Sequence, residues 1–129
     1  MTKYAITATA TTAIDVVEFD ESTSYETIKE AIGGGTIQCI HIPSLGVDMW
    51  IDDEGKLVED PEFNTFGTTL WINEYGLTDV IVGDIIITGG VDDEGKTLGM
   101  TKEQVREVMT QVQLTADGVL SALQNTMNK

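Results

Sequence analysis

The stretch from Leu77 to Gly90 most narrows the possible folds, because it is the densest run of β-branched apolar residues in the chain. Val80–Val82 and Ile85–Ile87 are almost continuous, which is typical of a strand buried on both faces. Glycines flank the run and limit it to strand length. A Gly83-Asp84 pair in the middle predicts a kink or a bulge. We therefore expect one kinked central strand on which the other elements pack.

The charge balance is the second strong constraint. The chain has 129 residues, with 7 Lys and Arg against 22 Asp and Glu, and a formal net charge of −15. Nucleic acids and anionic membranes are bound through clustered basic side chains, so this balance argues against both as direct partners. It favours a basic protein surface or divalent cations. Solubility alone is the competing explanation of the acidity.

Cysteine content and hydropathy bear on the compartment. Cys39 is the single cysteine, so an internal disulfide is impossible and a reducing cytosol is the simple inference. No apolar run approaches the roughly 20 residues that cross a bilayer. The N-terminal residues lack the continuous apolar core of a signal peptide. We therefore expect a cytoplasmic protein without a membrane segment.

Alternating apolar residues predict further strands. Residues 4–10 and 14–19 alternate and are joined by a link short enough for a hairpin. Residues 36–42 carry apolar side chains on both faces, which predicts an interior strand. Residues 47–52 alternate clearly, and the turn that follows them has the hairpin form, with Gly55 where a positive φ is wanted.

Capping signals predict the helices. Thr23 and Glu26 have the spacing of a capping box before a short helix. Asn64 is suited to cap a second helix, although the threonines that follow also allow a strand. Thr101 and Gln104 form another capping box, followed by a helical apolar stripe to the end of the chain.

The C-terminal helix is long for a domain of this size. Unbroken, it would measure roughly 38 Å, against an expected domain diameter of roughly 28 Å. Either residues 115–118 split it into two helices, or its distal part packs on another subunit. The second alternative implies a homodimer or a higher oligomer.

Together these elements predict an α+β fold. We expect a mostly antiparallel sheet of about five strands, short helices and a long amphipathic C-terminal helix. Residues 1–99 would form the core domain. Residues 100–129 would form a helix that packs on that core or on a second subunit.

An acidic face around Trp50 is the first candidate site. Asp48 and Asp52 are its neighbours on the same strand face, and an exposed tryptophan among acids would anchor a basic partner. The predicted partner-binding residues are Asp48, Trp50, Asp52, Asp53, Glu54, Glu59 and Asp60.

A second candidate is a small nucleotide ligand held by glycine loops and by a helix N-terminus. The glycine-rich pieces match no phosphate loop with its lysine. A single arginine in the chain speaks against a strongly anionic ligand. The predicted ligand-binding residues are Gly83, Asp84, Gly89, Gly90, Thr101 and Arg106.

Two further groups of residues match known site patterns poorly. The hexapeptides 51–56 and 91–96 are identical but for Ile and Val, yet a lysine falls where the third oxygen ligand of a Ca²⁺ loop would be. We interpret both as charged turns. Cys39 and His41 form a nucleophile pair in principle, but no nearby base would lower the pKa of the thiol. We predict no catalytic residue, no metal site and no cofactor.

The middle of the chain resembles a known family, called domain of unknown function family 3846. The resemblance is carried, in order, by Asp48–Leu57, Asn64, Gly67-Thr68, Leu70 and Asp79–Gly89. It covers about the first three-quarters of the chain and leaves the C-terminal helix outside. The chain departs from the family pattern at Gly67, where alanine is expected, and at Asp84, where proline is expected. Members are carried largely by bacteriophages, other mobile elements and actinobacteria, which implies a context but no chemistry.

Three functions are compatible with these observations. The leading hypothesis is a non-enzymatic, phage-type counter-defence inhibitor, which occupies the basic nucleic-acid groove of a host protein. The alternative is an oligomeric sponge, which sequesters a nucleotide-derived immune signalling molecule between subunits. A metal-dependent hydrolase is a minority hypothesis, because it needs a buried carboxylate cluster that no sequence pattern indicates.

Overall fold

The computed structural model describes residues 1–11 and 13–127. Thr12, in the predicted hairpin link, and the last two positions of the predicted C-terminal helix lie outside the described residues. The strands are β1 (Tyr4–Ala8), β2 (Ile14–Glu18), β3 (Ile37–Ile42), β4 (Val47–Asp52) and β5 (Ile85–Gly89). The α-helices are α1 (Ser24–Ala31), α2 (Thr65–Tyr75) and α3 (Lys102–Met127).

The five strands form one sheet in the order β2-β1-β5-β4-β3, and each neighbouring pair is antiparallel. Strand β5 is therefore the central strand, paired with β1 through Ile6 and Ile87 and with β4 through Met49 and Ile87. This confirms the predicted α+β fold with an antiparallel sheet.

The run around Gly83 is not one kinked strand. Gly83 has φ 78°, and only the residues after it, Ile85–Gly89, belong to the sheet. Val82 instead forms an isolated bridge with Phe63, and the Ile81 carbonyl accepts from the Asn64 backbone N–H at 2.8 Å. The prediction of a central strand is right for the second half of the run and wrong for the first.

Strand β3 is an edge strand, not the interior strand predicted from its apolar pattern. Helices cover both faces of the sheet, so an edge strand here carries apolar residues on both sides. Ile40 and Ile42 pack in the cluster beneath α2 and α3, while Ile37 packs in the cluster beneath α1. The Tyr75 hydroxyl covers part of the open edge by donating to the His41 carbonyl at 2.5 Å.

Two apolar clusters lie on opposite faces of the sheet. The larger one joins β1, β3, β4 and β5 to α2 and α3, with Leu70 and Val108 fully buried at its centre. The smaller one joins α1, through Ile28 and Ile32, to Ala5 and Ile86 of the sheet. Successive side chains of β4 and β5 therefore point alternately towards the larger cluster and towards the smaller one.

The helix caps differ from one another. Asn64 Oδ1 accepts from Gly67 N at 2.8 Å, and Thr101 and Gln104 exchange bonds of 3.0 and 3.1 Å, so both predicted caps are confirmed. The capping box at Thr23 is wrong, because that side chain makes no cap bond and Asp20 caps a preceding 3₁₀ turn instead. Gly55 begins another 3₁₀ turn instead of a hairpin and has no positive φ.

Helix α3 is continuous from Lys102 to Met127, so the predicted split at residues 115–118 is wrong. At about 1.5 Å per residue it measures roughly 39 Å. Its first half packs on the core through Val108, whereas Leu120 and Leu123 in its second half are exposed. Within residues 1–11 and 13–127, no helix is both long and apolar enough to cross a membrane.

Candidate functional site

The segment of residues 52–62, named here the acidic loop, contains six of the acidic side chains and a single basic one. It leaves the end of β4, passes through the 3₁₀ turn Gly55–Leu57 and reaches the residues before α2. Asp53, Glu54, Glu59 and Asp60 are all exposed. The structure thus places these four predicted partner-binding residues together on one surface segment.

Asp52, a fifth predicted residue, has a structural role in the loop. Its Oδ1 accepts from Thr36 N at 3.2 Å and from Glu54 N at 3.0 Å. The equivalent residue of the second hexapeptide, Asp92, accepts from Glu94 N and Lys96 N at 2.9 Å. In both copies the first acid therefore holds the turn, as Asp side chains commonly do, and the following acids are free to face solvent.

The one base of the acidic loop is engaged outside it. Lys56 Nζ is paired with the Asp79 carboxylate, and this hydrogen bond, together with one from Val80 N, holds the pKa of Asp79 below its usual range. Within residues 1–11 and 13–127, this is the one ion pair between a lysine or arginine and an acid, and His41 is hydrogen-bonded to Asp48. The acidic side chains of the loop itself are therefore not neutralised by a neighbouring cation.

Apolar side chains stand among these acids. Leu57 is 81% exposed, and Val58 and Phe63 are exposed as well. Single exposed apolar residues are normal on protein surfaces, but exposed apolar residues interspersed with exposed acids along one segment have the composition of a binding interface. No sequence pattern singled out these three residues, because the alternation used to find strands does not extend into the loop.

A cleft of about 180 Å³ opens beside the acidic loop. Asp52, Asp53, Asp79 and Lys56 line it together with Trp71, and because Lys56 is paired with Asp79, Asp52 and Asp53 supply its net negative charge. The Trp71 Nε1–H donates to Thr78 Oγ1 at 2.9 Å, which fixes the indole. Negative charge beside an aromatic wall suits an ammonium or guanidinium group.

Asp48 and Trp50 do not belong to this exposed face, which corrects their predicted role. Asp48 is only 3% exposed. Trp50 packs against the cluster beneath α1, and its Nε1–H donates to Thr88 Oγ1 at 2.8 Å. The face of β4 that carries these residues is polar in sequence, but Trp50 on it packs against the cluster that contains Ile28 and Ile32 of α1.

The structure does not bring the predicted ligand-binding residues into one site within a chain. Gly83 and Asp84 precede β5, while Gly89 and Gly90 lie at its other end, and the two ends of the strand are roughly 13 Å apart. Asp84 Oδ1 accepts from Ala10 N at 3.0 Å. Gly89 is packed so closely that a Cβ on it would lie 2.5 Å from the Gly99 carbonyl oxygen. Of the remaining two, Thr101 caps α3 and Arg106 is exposed on that helix.

A cluster of three different side chains lies on the α1 face of strands β3 and β4. His41 and Asp48 are directly opposite in the register, and His41 Nδ1 is hydrogen-bonded to Asp48 Oδ1 at 2.7 Å. Cys39 Sγ lies 3.9 Å from the same nitrogen. Burial and the neighbouring Asp48 charge raise the pKa of the Cys39 thiol to about 12.

This cluster lacks the geometry of a catalytic triad. The thiol and the carboxylate both approach Nδ1, whereas a triad uses the two ring nitrogens separately. A thiol with a raised pKa is also a poor nucleophile near neutral pH. The sequence pattern paired Cys39 only with His41 and left out Asp48. A hairpin through the short Pro43–Gly46 turn brings Asp48 opposite His41, so this turn was the signal that could have found it.

The fold and these surfaces define a small α+β protein, in which a strongly acidic, partly apolar loop lies beside a sheet that has an apolar cluster on each face. The chain belongs to the family described as Domain of unknown function (DUF3846), which matches residues 1–113. The match therefore extends into the first half of α3, further than the resemblance predicted. Neither the curated proteins nor the solved structures that were compared include a significant match.

The two departures from the family pattern both have contacts that explain them. A Cβ on Gly67 would lie 2.9 Å from side-chain atoms of Ile81 and Ile85, so a glycine here allows α2 to pack closely on the segment before β5. Asp84 binds the backbone of the turn after β1, a contact that a proline side chain has no acceptor to make.

Proposed function

We propose that this chain is a non-enzymatic inhibitor, whose acidic loop binds the basic, nucleic-acid-binding surface of a host protein. The observation that carries the proposal is the acidic loop itself, in which exposed carboxylates flank the exposed Leu57 and Val58 in the sequence. The mobile-element context implied by the family resemblance agrees with a counter-defence role.

Charge supports the choice of partner. The loop is acidic within a chain of formal net charge −15, and its one base is paired with Asp79. Such a surface attracts a basic groove over a distance of about 10 Å at moderate salt and repels nucleic acid. The partner would thus be selected at the stage of encounter, before close contacts form.

The apolar residues and the cleft support a specific contact over simple charge attraction. Leu57 and Val58 offer area that becomes buried only when a partner covers them, and central apolar anchors inside a polar rim carry most binding energy in known interfaces. The cleft beside Trp71 would receive one basic side chain of the partner. This division of roles predicts that charge sets the rate of association and that the anchors set the rate of dissociation.

Self-association through α3 is a second part of the proposal. From residue 108 to residue 127, Asp117 is the only charged residue, whereas the rest of the chain is strongly acidic. Ala116, Leu120, Leu123 and Met127 are exposed and spaced four, three and four apart, so they form one stripe. Two acidic chains repel each other over most of their surface, and this charge-poor helix is where a second copy would pack.

The proposal is tested by immobilising the chain and exposing it to a bacterial lysate at rising NaCl concentrations. We expect stoichiometric capture of a basic nucleic-acid-binding protein, release of that protein by moderate salt, and displacement by added DNA. Capture that is insensitive to both salt and DNA would contradict a role for the acidic loop. Retention of a small nucleotide by the purified chain would favour the sponge hypothesis instead.

A further inference from the structure

We propose that Cys39, His41 and Asp48 form a binding site for one transition-metal ion of the Zn²⁺ class. This inference is independent of the proposed binding function. The site lies on β3 and β4, and Asp48 is four residues along β4 from the start of the acidic loop, roughly 13 Å away.

The three ligand atoms are close enough together to bind one ion. They all lie within 4.8 Å of one another. Zinc bonds of about 2.0–2.3 Å place two ligands of a tetrahedral ion about 3.3–3.7 Å apart. The separation of 3.9 Å between Cys39 Sγ and His41 Nδ1 is near this range. The His41–Asp48 separation of 2.7 Å is shorter, because these atoms are hydrogen-bonded to each other, and it would widen as the ion replaces the proton between them.

Asp48 supplies the second observation. Its side chain is only 4% exposed, and its Oδ2 is buried without a hydrogen-bond partner among residues 1–11 and 13–127. An unpaired buried carboxylate oxygen costs free energy that a protein usually avoids. A cation bound by both oxygens of the Asp48 carboxylate, together with Cys39 and His41, would satisfy Oδ2, which the hydrogen bond from His41 to Oδ1 leaves unpaired.

The chemistry of the donors selects the class of metal. Sulfur and imidazole ligands favour Zn²⁺ and Co²⁺ over Ca²⁺ and Mg²⁺, which require several oxygens. On binding, the Cys39 thiol releases its proton to solvent as the sulfur–metal bond forms. The neutral His41 ring then carries its proton on Nε2 and binds the ion through Nδ1. The His41 side chain is 70% exposed, so the fourth position is open to water.

Strand geometry makes the site rigid before any metal arrives. Cys39 and His41 are two apart on β3 and so share one face, and Asp48 is paired opposite His41 on β4. Preorganised ligands on paired strands lose little conformational entropy on binding.

The test is titration of the full chain with Co²⁺, followed by displacement with Zn²⁺. We expect one Co²⁺ per chain, with a near-ultraviolet thiolate-to-cobalt absorption band and the visible spectrum of a tetrahedral ion, both abolished by Zn²⁺ and unaffected by excess Mg²⁺. Cys39→Ser removes the thiolate band altogether. His41→Gln weakens Co²⁺ binding by at least roughly tenfold, since even residues behind the ligands have effects of that size.

Asp53→Asn is the matched control, because it removes a carboxylate from the exposed acidic loop and leaves the cluster intact. It should bind Co²⁺ with the same spectrum and affinity. Cys39 and His41 are at an edge strand, so both variants should fold, and circular dichroism verifies this. Absence of the thiolate band in the parent chain, or a Co²⁺ affinity that His41→Gln leaves unchanged, would overturn the proposal.

Discussion

The side chain of Asn64 donates a hydrogen bond to the Gly83 carbonyl at 2.7 Å. The same amide nitrogen donates to the Ala8 carbonyl at 3.0 Å, while Oδ1 caps α2 through Gly67 N. This fully buried residue thus joins the start of α2, the end of β1 and the bend before β5. It holds the bend at Gly83, after which the chain enters the sheet as β5.

Replacement of Asn64 by alanine should therefore destabilise the whole domain. It removes a helix cap, worth about 1 kcal/mol, and leaves buried carbonyls unpaired at about 1–3 kcal/mol. We expect the free energy of unfolding in urea to fall by about 3 kcal/mol. Asn125→Ala, at an exposed position of α3, is the control and should change it by less than about 0.5 kcal/mol. Equal effects would contradict this role of Asn64.

Two glycines should respond to alanine with opposite signs. A Cβ on Gly89 would lie 2.5 Å from the Gly99 carbonyl oxygen, and its nearest neighbours are backbone atoms of Leu98 and Gly99, which cannot turn aside as a side chain can, so Gly89→Ala should cost about 2 kcal/mol or more. Gly118 lies within α3 with open space around it, so Gly118→Ala should stabilise by about 0.5–1 kcal/mol. Thermal unfolding of both variants measures the difference, and a stable Gly89→Ala variant would refute the close approach.

The Cys39 thiol should be slow to react. Its pKa is raised from 9.0 to about 12, so at pH 8 the thiolate fraction is lower in the folded chain than in the unfolded chain by roughly a thousandfold. We expect iodoacetamide, with a chelator present, to modify the folded chain far more slowly than the chain in urea. Equal rates would show that the thiol is not held in this environment.

The same shift gives a pH dependence of stability. The folded chain keeps the Cys39 proton to higher pH than the unfolded chain does, so this contribution is complete below pH 9.0 and is lost as the pH rises towards about 12. Cys39→Ser has no such group and should lose less stability over this range. A parallel decline of both proteins would contradict the assignment.

The stripe on α3 predicts concentration-dependent self-association. Replacement of Leu120 and Leu123 by glutamine should shift the chain to monomer in sedimentation experiments, because it removes apolar area from the proposed interface. Leu114 is exposed as well but lies on a different side of the helix. Leu114→Gln should therefore leave association unchanged, and a parent chain that is monomeric at every concentration would contradict the proposed dimer.

The sequence predicted those parts of the fold that depend on local signals. The isoleucines of β5 and the reciprocal bonds of Thr101 and Gln104 are local patterns, and both were confirmed. A kink at Gly83 was predicted, but not that only the residues after it join the sheet, because that arrangement depends on Asn64, which is distant in the chain. The edge position of β3 was hidden, since helices on both faces give it the pattern of an interior strand.

Local sequence signals likewise predicted some features of the candidate sites and missed others. The acidity of residues 52–62 was evident from composition, but the burial of Asp48 was not, since alternation along β4 reads equally well as a solvent-facing polar row. Leu57 and Val58 lie in irregular structure, where no periodicity indicates exposure. The Cys39–His41–Asp48 cluster required the register of β3 and β4, which the hairpin turn implied but did not fix.

The two copies of the acidic hexapeptide permit the most direct test of the proposed function. Asp53 and Glu54 in the acidic loop, and Asp93 and Glu94 in the second copy, are all exposed. Each copy keeps its first aspartate to hold the turn. Replacing either pair by lysines changes the net charge by the same amount, so only the position of the change differs.

The decisive measurement is quantitative mass spectrometry of the proteins that each immobilised variant retains from a bacterial lysate. We expect Asp53→Lys with Glu54→Lys to lose the basic partner by at least about tenfold, or about 1.4 kcal/mol, while Asp93→Lys with Glu94→Lys retains it. An equal loss from both variants would show that net charge alone governs retention. An undiminished signal from the first variant would show that the acidic loop is not the binding surface.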